Sequence, residues 1–405
     1  MEIPKIRFES FEKRWESYRL SEYSSYRRGS FPQPYGNKEW YGGNNAMPFV
    51  QVVDVLENLR LAADTKQKIS TLAQPMSVFV PSDSVIVTLQ GSIGRVAITQ
   101  YDAYVDRTIL IFEDYISQTN KEFWAYTIRD KFEIERQKAP GGTIKTITKE
   151  ALSDFKVSIP SYSEQSAIGS LFSTLDGLLA SYKDNLANYQ ALKATMLSKM
   201  FPKAGQTVPE IRLEGFVGEW VEKCIGELAD IVRGASPRPI QDPKWFDSNS
   251  EIGWLRISDV TSQNGRIHSL EQKISNLGQE KTRVLTEPHL LLSIAATVGK
   301  PVINYVKTGV HDGFLIFMNP KFDREFMFQW LEMFREKWNR YGQPGSQVNL
   351  NSDIVKNQKI LIPSMEEQRA IGTYFSNLDN LINSHQEKIS QLETLKKKLL
   401  QDMFI

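Results

Sequence analysis

The chain has 405 residues, 24% charged and 11% aromatic, and its 49 Lys and Arg against 48 Asp and Glu give a net charge of +1. This composition is typical of a globular protein with roughly two to four domains, and it excludes a disordered chain and an overall polycation. The single cysteine, Cys224, excludes an internal disulfide and a multi-cysteine zinc site and suits a reducing cytoplasm. No apolar run approaches the ~18 residues of a membrane helix.

The first segment, residues 1–160, predicts a mixed α/β domain. A helix is predicted at residues 121–137. Short runs of β-branched and aromatic residues between turn residues predict strands at residues 50–55, 85–89, 96–99, 108–112 and 155–159.

The second segment, residues 161–203, predicts one long helix of roughly 50–60 Å. Ser161 and Glu164 follow an Ile-Pro pair and match a capping box, in which the serine accepts from a backbone amide and the glutamate reaches back. Apolar residues then recur every seven positions at Ile168, Leu175, Tyr182, Tyr189 and Met196. Leu171, Leu178 and Leu192 are predicted to fill the companion position, with a wider stripe at Phe172, Leu179, Leu186 and Met200.

The third and fourth segments repeat this order. Residues 204–363 predict a second mixed α/β domain, with strands at 254–257, 290–294, 302–305, 314–318 and 358–362 and a helix at 326–338. Residues 364–405 predict a second long helix, which begins with Ser364 and Glu367. Its heptad column is Ile371, Leu378, His385, Leu392 and Leu399, with companions Tyr374, Leu381 and Leu395 and a wider stripe at Phe375, Ile382, Ile389 and Met403.

The repeat extends over the whole chain. Pro4-Lys5-Ile6-Arg7 matches Pro209-Glu210-Ile211-Arg212 at an offset of 205 residues, and Ile159-Pro160-Ser161 matches Ile362-Pro363-Ser364 at an offset of 203. The period is far longer than the about 20–50 residues of a solenoid repeat. The sequence therefore predicts a duplicated two-domain unit.

The two predicted helices need a packing partner. A lone helix of this length with a continuous apolar stripe is not stable in water, so the economical partner of each helix is the other. The alternative is that each packs only on its own α/β domain. His385 on the seam is predicted to fix the register or to extend its polar atoms towards solvent. The Lys396-Lys397-Lys398 run is predicted to be a solvated helix end, with contact to a phosphate or to a partner subunit as the alternative.

Glycine lies beside arginine or lysine in loops of both copies. Glycine lets a backbone approach a phosphate closely, arginine can bind guanine through two hydrogen bonds, and asparagine can bind adenine. The candidate DNA contacts are Arg27, Arg28, Trp40, Asn44, Arg95, Arg233, Arg238, Arg256 and Lys300. The alternative for each loop is an ordinary turn between strands.

The sequence contains no recognisable catalytic motif. A GxGxxG fingerprint and a Walker A loop are absent, and no Ser/His/Asp or Cys/His set can be assigned. Asn319-Pro320-Lys321-Phe322 differs from the Asn-Pro-Pro-Phe/Tyr signature of amino-methyltransferases at its third position and predicts a turn. No catalytic residue and no metal ligand are predicted.

This duplicated order resembles the specificity (S) subunit of a type I restriction-modification system. The resemblance covers essentially all 405 residues. It rests on Trp15/Trp220, Gly29/Gly234, Lys68-Ile69-Ser70 with Lys273-Ile274-Ser275, Ile93-Gly94-Arg95 with Val298-Gly299-Lys300, and the repeated Ile-Pro-x-x-x-Glu-Gln.

The resemblance implies an α+β fold. Two target-recognition domains, residues 1–160 and 204–363, would be separated by conserved helical regions, residues 161–203 and 364–405. These helical regions would pair as an antiparallel coiled coil in a pseudo-twofold internal repeat. Because the two domains diverge outside the matched positions, the resemblance transfers no individual base contact.

The resemblance also implies a function. Each domain would read one half of a split site in double-stranded DNA, and the helix pair would set the gap between the halves. Two methyltransferase (M) subunits would bring S-adenosylmethionine, and two restriction (R) subunits would bring ATP- and Mg-dependent translocation and cleavage. The chain itself would be a cytoplasmic, non-catalytic DNA adaptor with no cofactor and no membrane contact.

Two other classes of function stay open at this point. A self-sufficient DNA methyltransferase or nuclease with degenerate motifs would transfer labelled methyl groups, or cut DNA, without any partner. A structural coiled-coil protein would bind no DNA. Loss of DNA binding on combined mutation of Arg27, Arg28, Arg95, Arg233, Arg238 and Lys300 would argue against the structural class.

Overall fold

The computed structural model describes residues 3–138, 152–294, 297–341 and 350–405. The chain divides into two compact units, one formed by Met1–Asp184 with Glu387–Ile405 and the other by Asn185–Gln386. Both boundaries fall inside a long helix. Each unit therefore combines one α/β domain with a part of both helical segments, a grouping that the four-segment prediction did not contain.

The first unit contains three sheets. Their strand orders are β2-β9-β6-β7, β4-β3-β8-β5 and β1-β10. The strands are β1 (Glu16–Arg19), β2 (Ser24–Arg28), β3 (Met47–Val50), β4 (Gln67–Ile69), β5 (Val78–Val80), β6 (Val85–Thr88), β7 (Val96–Ile98), β8 (Ala103–Val105), β9 (Ile109–Tyr115) and β10 (Lys156–Ile159). The helices are α1 (Leu20–Tyr23), α2 (Lys121–Lys138) and the first part of α3 (Tyr162–Lys199).

The second unit has a matching set of elements. Its strands are β11 (Val221–Cys224), β12 (Asp230–Arg233), β13 (Gly253–Trp254), β14 (Arg266–Ile267), β15 (Arg283–Leu285), β16 (Leu290–Ser293), β17 (Pro301–Asn304), β18 (Thr308–Val310), β19 (Phe314–Met318) and β20 (Lys359–Ile362). Its helices are α4 (Ile225–Leu228), α5 (Ile257–Ser262), α6 (Asn276–Gln279), α7 (Arg324–Phe334), α8 (Ser352–Lys356) and the first part of α9 (Met365–Met403).

The internal repeat is confirmed by the topology. The order β2-β9-β6-β7 recurs as β12-β19-β16-β17, and β3-β8-β5 recurs as β13-β18-β15. The parallel strand pairs β3-β8 and β13-β18 have the same register. Phe49 faces Tyr104 in the first unit, and the residues 205 positions later, Trp254 and Gly309, face each other in the second. The sheets of the two units differ in one strand each. In the first unit β4 pairs with β3, whereas in the second unit β14 pairs with β17 and extends the larger sheet. The predicted mixed α/β class is correct.

Two strand predictions were wrong for one shared reason. In place of a strand at 50–55, β3 ends at Val50 and residues Val52–Asp54 form a 3₁₀ helix. The buried Asp54 carboxylate accepts hydrogen bonds from the Gln51 amide at 2.8 Å and the Lys66 amide at 2.9 Å, which turns the backbone away from the sheet. In the second copy, α5 begins at Ile257 and Asp259 accepts from the Arg256 amide at 2.9 Å.

The boundaries of α7 also differ from the prediction. The helix spans Arg324–Phe334 and continues as a 3₁₀ helix over Arg335–Tyr341, instead of one helix over 326–338. It starts two residues early because the Asp323 side chain accepts from the Phe326 amide at 2.9 Å and caps it.

Each unit has a core that also includes the end of one long helix. In the first unit, the Phe404 ring lies 5.6 Å from Phe123 and 5.7 Å from Phe172, next to the buried face of the β2-β9-β6-β7 sheet. In the second unit, the Phe201 ring lies 5.3 Å from Phe326. The end of α9 thus stabilises the first domain, and the end of α3 stabilises the second.

The repeated glycine after β2 and β12 leaves no room for a side chain. A Cβ on Gly29 would lie 2.3 Å from the Val105 oxygen, and one on Gly234 would lie 2.1 Å from the His311 oxygen. These glycines are therefore needed for the close approach of two backbones within the domain, and their repetition is explained without a phosphate.

We predict that Gly29→Ala lowers the free energy of unfolding by roughly 1–3 kcal/mol or more, because the backbone must move to admit the methyl group. Gly36→Ala is the matched control, since a Cβ there meets no atom within 4 Å, and we expect it to change stability by less than about 0.5 kcal/mol. Urea unfolding followed by circular dichroism measures both. Equal midpoints for the two variants would contradict the packing argument.

Candidate nucleic-acid interface and the helix pair

We call the segment that precedes the first strand of each α/β domain the arm (residues 4–15 and 209–220). A buried ion pair joins each arm to the start of a long helix. Glu164, only 1% exposed, accepts from Arg7 at 2.6 and 2.7 Å, and Glu367 accepts from Arg212 at 2.8 and 2.7 Å. The hydrogen bond to Glu164 raises the pKa of Arg7. The capping-box prediction was therefore wrong for both glutamates, which bind arginine instead of the cap amide.

The glutamine that follows each of these glutamates hydrogen-bonds to the proline before the long helix and to the start of a domain helix. Gln165 donates to the Pro160 carbonyl at 3.0 Å and accepts from the Asn120 amide at 3.0 Å, next to the start of α2. In the second unit, Gln368 makes the same two contacts with Pro363 and Asp323, each at 2.9 Å. The repeated Glu-Gln motif is thus the junction between the arm, the α/β domain and the long helix.

In the first unit, the two long helices contact each other and run antiparallel. Lys396 on α9 forms an ion pair with Asp176 on α3, and Lys183 on α3 forms one with Glu393 on α9 at 2.6 Å. The residue number thus falls along α9 as it rises along α3.

The second unit shows the same pairing with the partners exchanged. Lys193 on α3 lies 2.5 Å from Asp379 on α9, and the Tyr189 ring lies 5.1 Å from the His385 ring. The alternative in which each helix packs only on its own α/β domain is therefore excluded. His385 packs against an aromatic ring, and its Nδ1 is 2.9 Å from the Leu381 oxygen.

Each of these aspartates also contacts its α/β domain. Tyr126 on α2 donates a hydrogen bond to Asp176, and Gln329 on α7 donates one to Asp379 at 2.8 Å. Burial and the nearby Asp176 carboxylate raise the pKa of Tyr126, so its hydroxyl keeps the proton that it donates. We call each set an aspartate node: Asp176, Tyr126 and Lys396 in the first unit, and Asp379, Gln329 and Lys193 in the second.

The heptad residues lie along the buried side of each helix. Ile168, Leu175, Ile371 and Leu378 are buried, and Tyr182, Tyr189, Met196, His385, Leu392 and Leu399 are half-buried.

The companion column was wrong at four of its six positions. Leu178, Leu192, Leu381 and Leu395 are 41–46% exposed, whereas Leu171 and Tyr374 are half-buried against the domain cores. The wider stripe, which includes Phe172 and Leu179, completes the buried side instead. A seven-residue period does not distinguish position i+3 from i+4, so only the packing decides between them.

The lysine run near the end of α9 is not wholly solvated. Lys396 is 14% exposed, and its burial lowers the pKa of its ammonium group while the hydrogen bond to Asp176 acts in the opposite direction. Lys397 and Lys398 are exposed, as predicted.

The candidate DNA contacts of the first unit differ in exposure and in their ion-pair partners. Arg28 and Asn44 are exposed, and Arg27 is exposed beside Glu113 at 2.7 Å. Arg95 is half-buried and lies 3.4 Å from Glu57. Trp40 packs against the buried cluster that contains Phe31 and Phe49, so we no longer expect Trp40 to contact DNA.

In the second unit, two candidate arginines converge on one residue. Arg238 forms an ion pair with the Asp312 carboxylate, and Arg233 donates to its backbone oxygen, both at 2.6 Å. Although burial opposes its ionisation, a hydrogen bond from Ser236 and the charge of Arg238 lower the pKa of Asp312.

Two further candidate DNA contacts of this unit form ion pairs within the α/β domain. Arg256 is bound by Asp259 at 2.8 Å and by Glu271 at 3.4 Å. Lys300 has a side chain that is only 13% exposed and lies 2.5 Å from Glu332, so we do not expect it to contact DNA.

Comparison with known proteins identifies the family. Residues 12–193 and 218–394 each match the family described as the type I restriction modification DNA specificity domain. The chain belongs to this family of specificity subunits. The family is non-catalytic, and the two matched ranges correspond to two target-recognition domains.

Relatives and solved structures are consistent with that assignment. The chain is 21% identical to the MjaVIII specificity subunit of a type I restriction enzyme from Methanocaldococcus jannaschii, over 95% of this chain and 91% of that protein. It is 22% identical to the putative MjaX specificity subunit of the same organism, over 63% and 60%.

Among solved structures, the S subunit from M. genitalium superposes with a TM-score of 0.64 at 14% identity, over 100% of this chain and 99% of that one. A chain from a structural study of complex assembly and conformational transition of the type I R-M system gives 0.53 at 16% identity, over 96% and 97%. At these identities, the structural likeness shows the fold.

Among the described residues, no helix is long and apolar enough to cross a membrane. Within the same residues, no group of three or more His, Cys, Asp or Glu side chains is placed to hold a metal ion.

The sequence prediction missed two sets of residues. Arg7 and Arg212 lie in the repeated arm motif, but their partners are 157 and 155 residues away, so spacing gave no signal. Gln67 and Arg107 line a cleft of the first unit. The sequence signal for Arg107 is the change of charge to Asp312 at the equivalent position, whereas Gln67 is matched by Gln272 and gave no such signal.

We predict that Lys396→Met lowers the free energy of unfolding by roughly 3 kcal/mol, because the Asp176 carboxylate stays largely buried without its charged partner. Lys183→Met is the matched control. It breaks the exposed pair with Glu393, and we expect a loss below about 1 kcal/mol. Chemical denaturation measures both, and adding Asp176→Leu to Lys396→Met should recover much of the loss. Similar losses in the two single variants would refute the role of the node.

Proposed function

We propose that this specificity subunit binds double-stranded DNA and reads a bipartite target, one half-site with each target-recognition domain. The observation that carries the proposal is the repeat itself: two units have the same strand topology and register but different side chains at equivalent surface positions. A shared fold with divergent surfaces suits two readers of different sequences.

We further propose that the paired helices set the gap between the half-sites. Two similar domains that bind one face of a duplex are related by a dyad perpendicular to the DNA axis, and helices that lie along the DNA under this dyad run antiparallel. The antiparallel pairing found within each unit supports this arrangement. At 1.5 Å per residue, the 38 residues of α3 extend about 57 Å. The half-sites would lie about one DNA turn apart, roughly 34–36 Å between centres.

The proposed partners supply the chemistry. Two methyltransferase subunits would bring S-adenosylmethionine, and two restriction subunits would bring ATP and Mg. The exposed leucines of the helices support a docking role, because large apolar side chains at repeated positions suit a partner surface. One pair of positions is Leu178 and Leu395 in the first unit, and the equivalent pair is Leu381 and Leu192 in the second.

We predict that Leu178→Ser with Leu395→Ser reduces the number of methyltransferase subunits bound per chain from two to one. Both side chains are exposed, so the fold should be unaffected and only a partner contact is lost. Leu72→Ser, another exposed leucine of the first unit, serves as the control. Native mass spectrometry of the co-expressed complex gives the stoichiometry. Two methyltransferase subunits on the double variant would count against this docking surface.

We predict that one added heptad in both helices lengthens the gap in the target by about three base pairs. Seven residues add about 10.5 Å to each helix, and DNA rises 3.4 Å per base pair. Methylome sequencing of cells that carry the wild-type or the lengthened gene reports the motif and its gap directly. A heptad in only one helix is the control, since it breaks the pairing register and should abolish modification. An unchanged gap in the doubly lengthened variant would end the spacer proposal.

A further inference from the structure

The first unit contains a polar cleft that the sequence analysis did not single out. It has a volume of about 380 Å³ and lies beside the end of β3, the start of β4 and the turn between β8 and β9. The lining side chains that matter here are Tyr35, Gln51, Lys66, Gln67, Asp106 and Arg107, and we call this set the β3-β4 cleft.

The floor of the β3-β4 cleft is held by hydrogen bonds. Asp106 is buried and accepts from the amide and the hydroxyl of Thr108, at 2.9 and 2.6 Å. The Tyr35 hydroxyl also donates to Asp106. Burial and this hydrogen bond raise the pKa of Tyr35, so the hydroxyl stays protonated. The Tyr35 ring is thereby fixed in one orientation.

Two side chains of the β3-β4 cleft, Arg107 and Gln67, lack the usual polar partner within the described residues. The Arg107 guanidinium lies 5.2 Å from the centre of the Tyr35 ring, and no carboxylate of the described residues forms an ion pair with it. The Gln67 side-chain oxygen is buried and accepts no hydrogen bond within the described part of the chain. Because buried polar groups are normally paired, Gln67 indicates a position completed by a ligand.

The second unit has a cleft in the corresponding place, with a volume of about 710 Å³. Its lining includes Ile240, Glu271 and Gln272, which correspond at the offset of 205 to Tyr35, Lys66 and Gln67. The matching registers of β3-β8 and β13-β18 confirm this correspondence.

The charges differ between the two clefts, although the backbone is shared. Glu271 of the second cleft stands where the first has Lys66. The position of Arg107 is occupied by Asp312, which is not among the residues that line the second cleft and is bound by Arg238 and Ser236. The glutamine, Gln67 or Gln272, is common to both clefts. A retained glutamine beside a reversed charge suits two sites for different ligands of one class.

We propose that the β3-β4 cleft is the base-reading site of the first unit, with Arg107 bound to a guanine edge. This proposal rests on the proposed DNA binding of the two units. The planar guanidinium can donate two parallel hydrogen bonds to the O6 and N7 atoms of guanine, and the Tyr35 ring holds it in place. Gln67 supplies an amide for a neighbouring base, and Lys66 suits a backbone phosphate.

The test uses the complete chain co-expressed with its methyltransferase subunits, and methylome sequencing as the readout. Arg107→Ala should relax the motif at one guanine position of one half-site, by about 5- to 150-fold in discrimination, and leave the other half-site unchanged. Arg107→Lys keeps the charge but not the paired donors, so it should relax the same position while it retains overall binding. Arg19→Ala, an exposed arginine on β1, is the matched control and should keep the wild-type motif.

If methylation by Arg107→Ala falls below detection, competition binding of the purified complex to oligonucleotides varied at each position gives the same discrimination directly. A wild-type motif with Arg107→Lys, together with uniformly weaker binding by Arg107→Ala, would show a phosphate contact and overturn the proposal. A wild-type complex without any bipartite motif would instead refute the proposed function itself.

Discussion

The structure depends on two reciprocal lysine–aspartate pairs buried between long antiparallel helices. Asp176 binds Lys396 in the first unit, and Asp379 binds Lys193 in the second. A shift of one helix along the other would leave Asp176 and the two lysines largely buried without their partners, which is strongly unfavourable, so the pairs select one register. Asp379 would keep its second ion pair, with Arg266 at 3.1 Å. Since Tyr126 and Gln329 contact the same aspartates, the register of the helices and the docking of each domain are determined together.

A second constraint acts where each helix begins. The arginine of the N-terminal arm binds a buried glutamate, and the adjacent glutamine links the preceding proline to the start of α2 or α7. Removing either charge would leave the other buried without its partner. This explains why Pro-x-Ile-Arg and Glu-Gln recur together although they lie far apart in the chain.

The conserved framework and the variable surface have different physical tasks. Glycines at β2 and β12, the aspartate nodes and the arm junctions occur in both units because each satisfies a steric or electrostatic requirement of the fold. At the clefts the side chains differ between the units, and Lys66 of the first unit is replaced by Glu271 in the second.

The sequence by itself determined the duplication, the mixed α/β class and the two long helices. These follow from local or periodic signals: matched Trp, Gly and Pro positions, alternating apolar residues and an uninterrupted heptad stripe. Seven of the ten predicted strands were placed within one or two residues, and β19 was placed at its observed bounds, because a buried apolar run bounded by turns is a local property. Strands such as β1, β2, β4 and β5, and β11, β12 and β15 in the second unit, were not predicted.

Only the tertiary structure decided which residues of the stripe face the partner helix, that Lys300 pairs with Glu332 and that Glu164 and Glu367 bind arginine instead of a cap amide. The grouping of one α/β domain with parts of both long helices in each unit was likewise visible only in the tertiary structure. The physical reason is that burial and ion pairing depend on residues brought together from distant parts of the chain, whereas a sequence pattern reports only what its near neighbours permit.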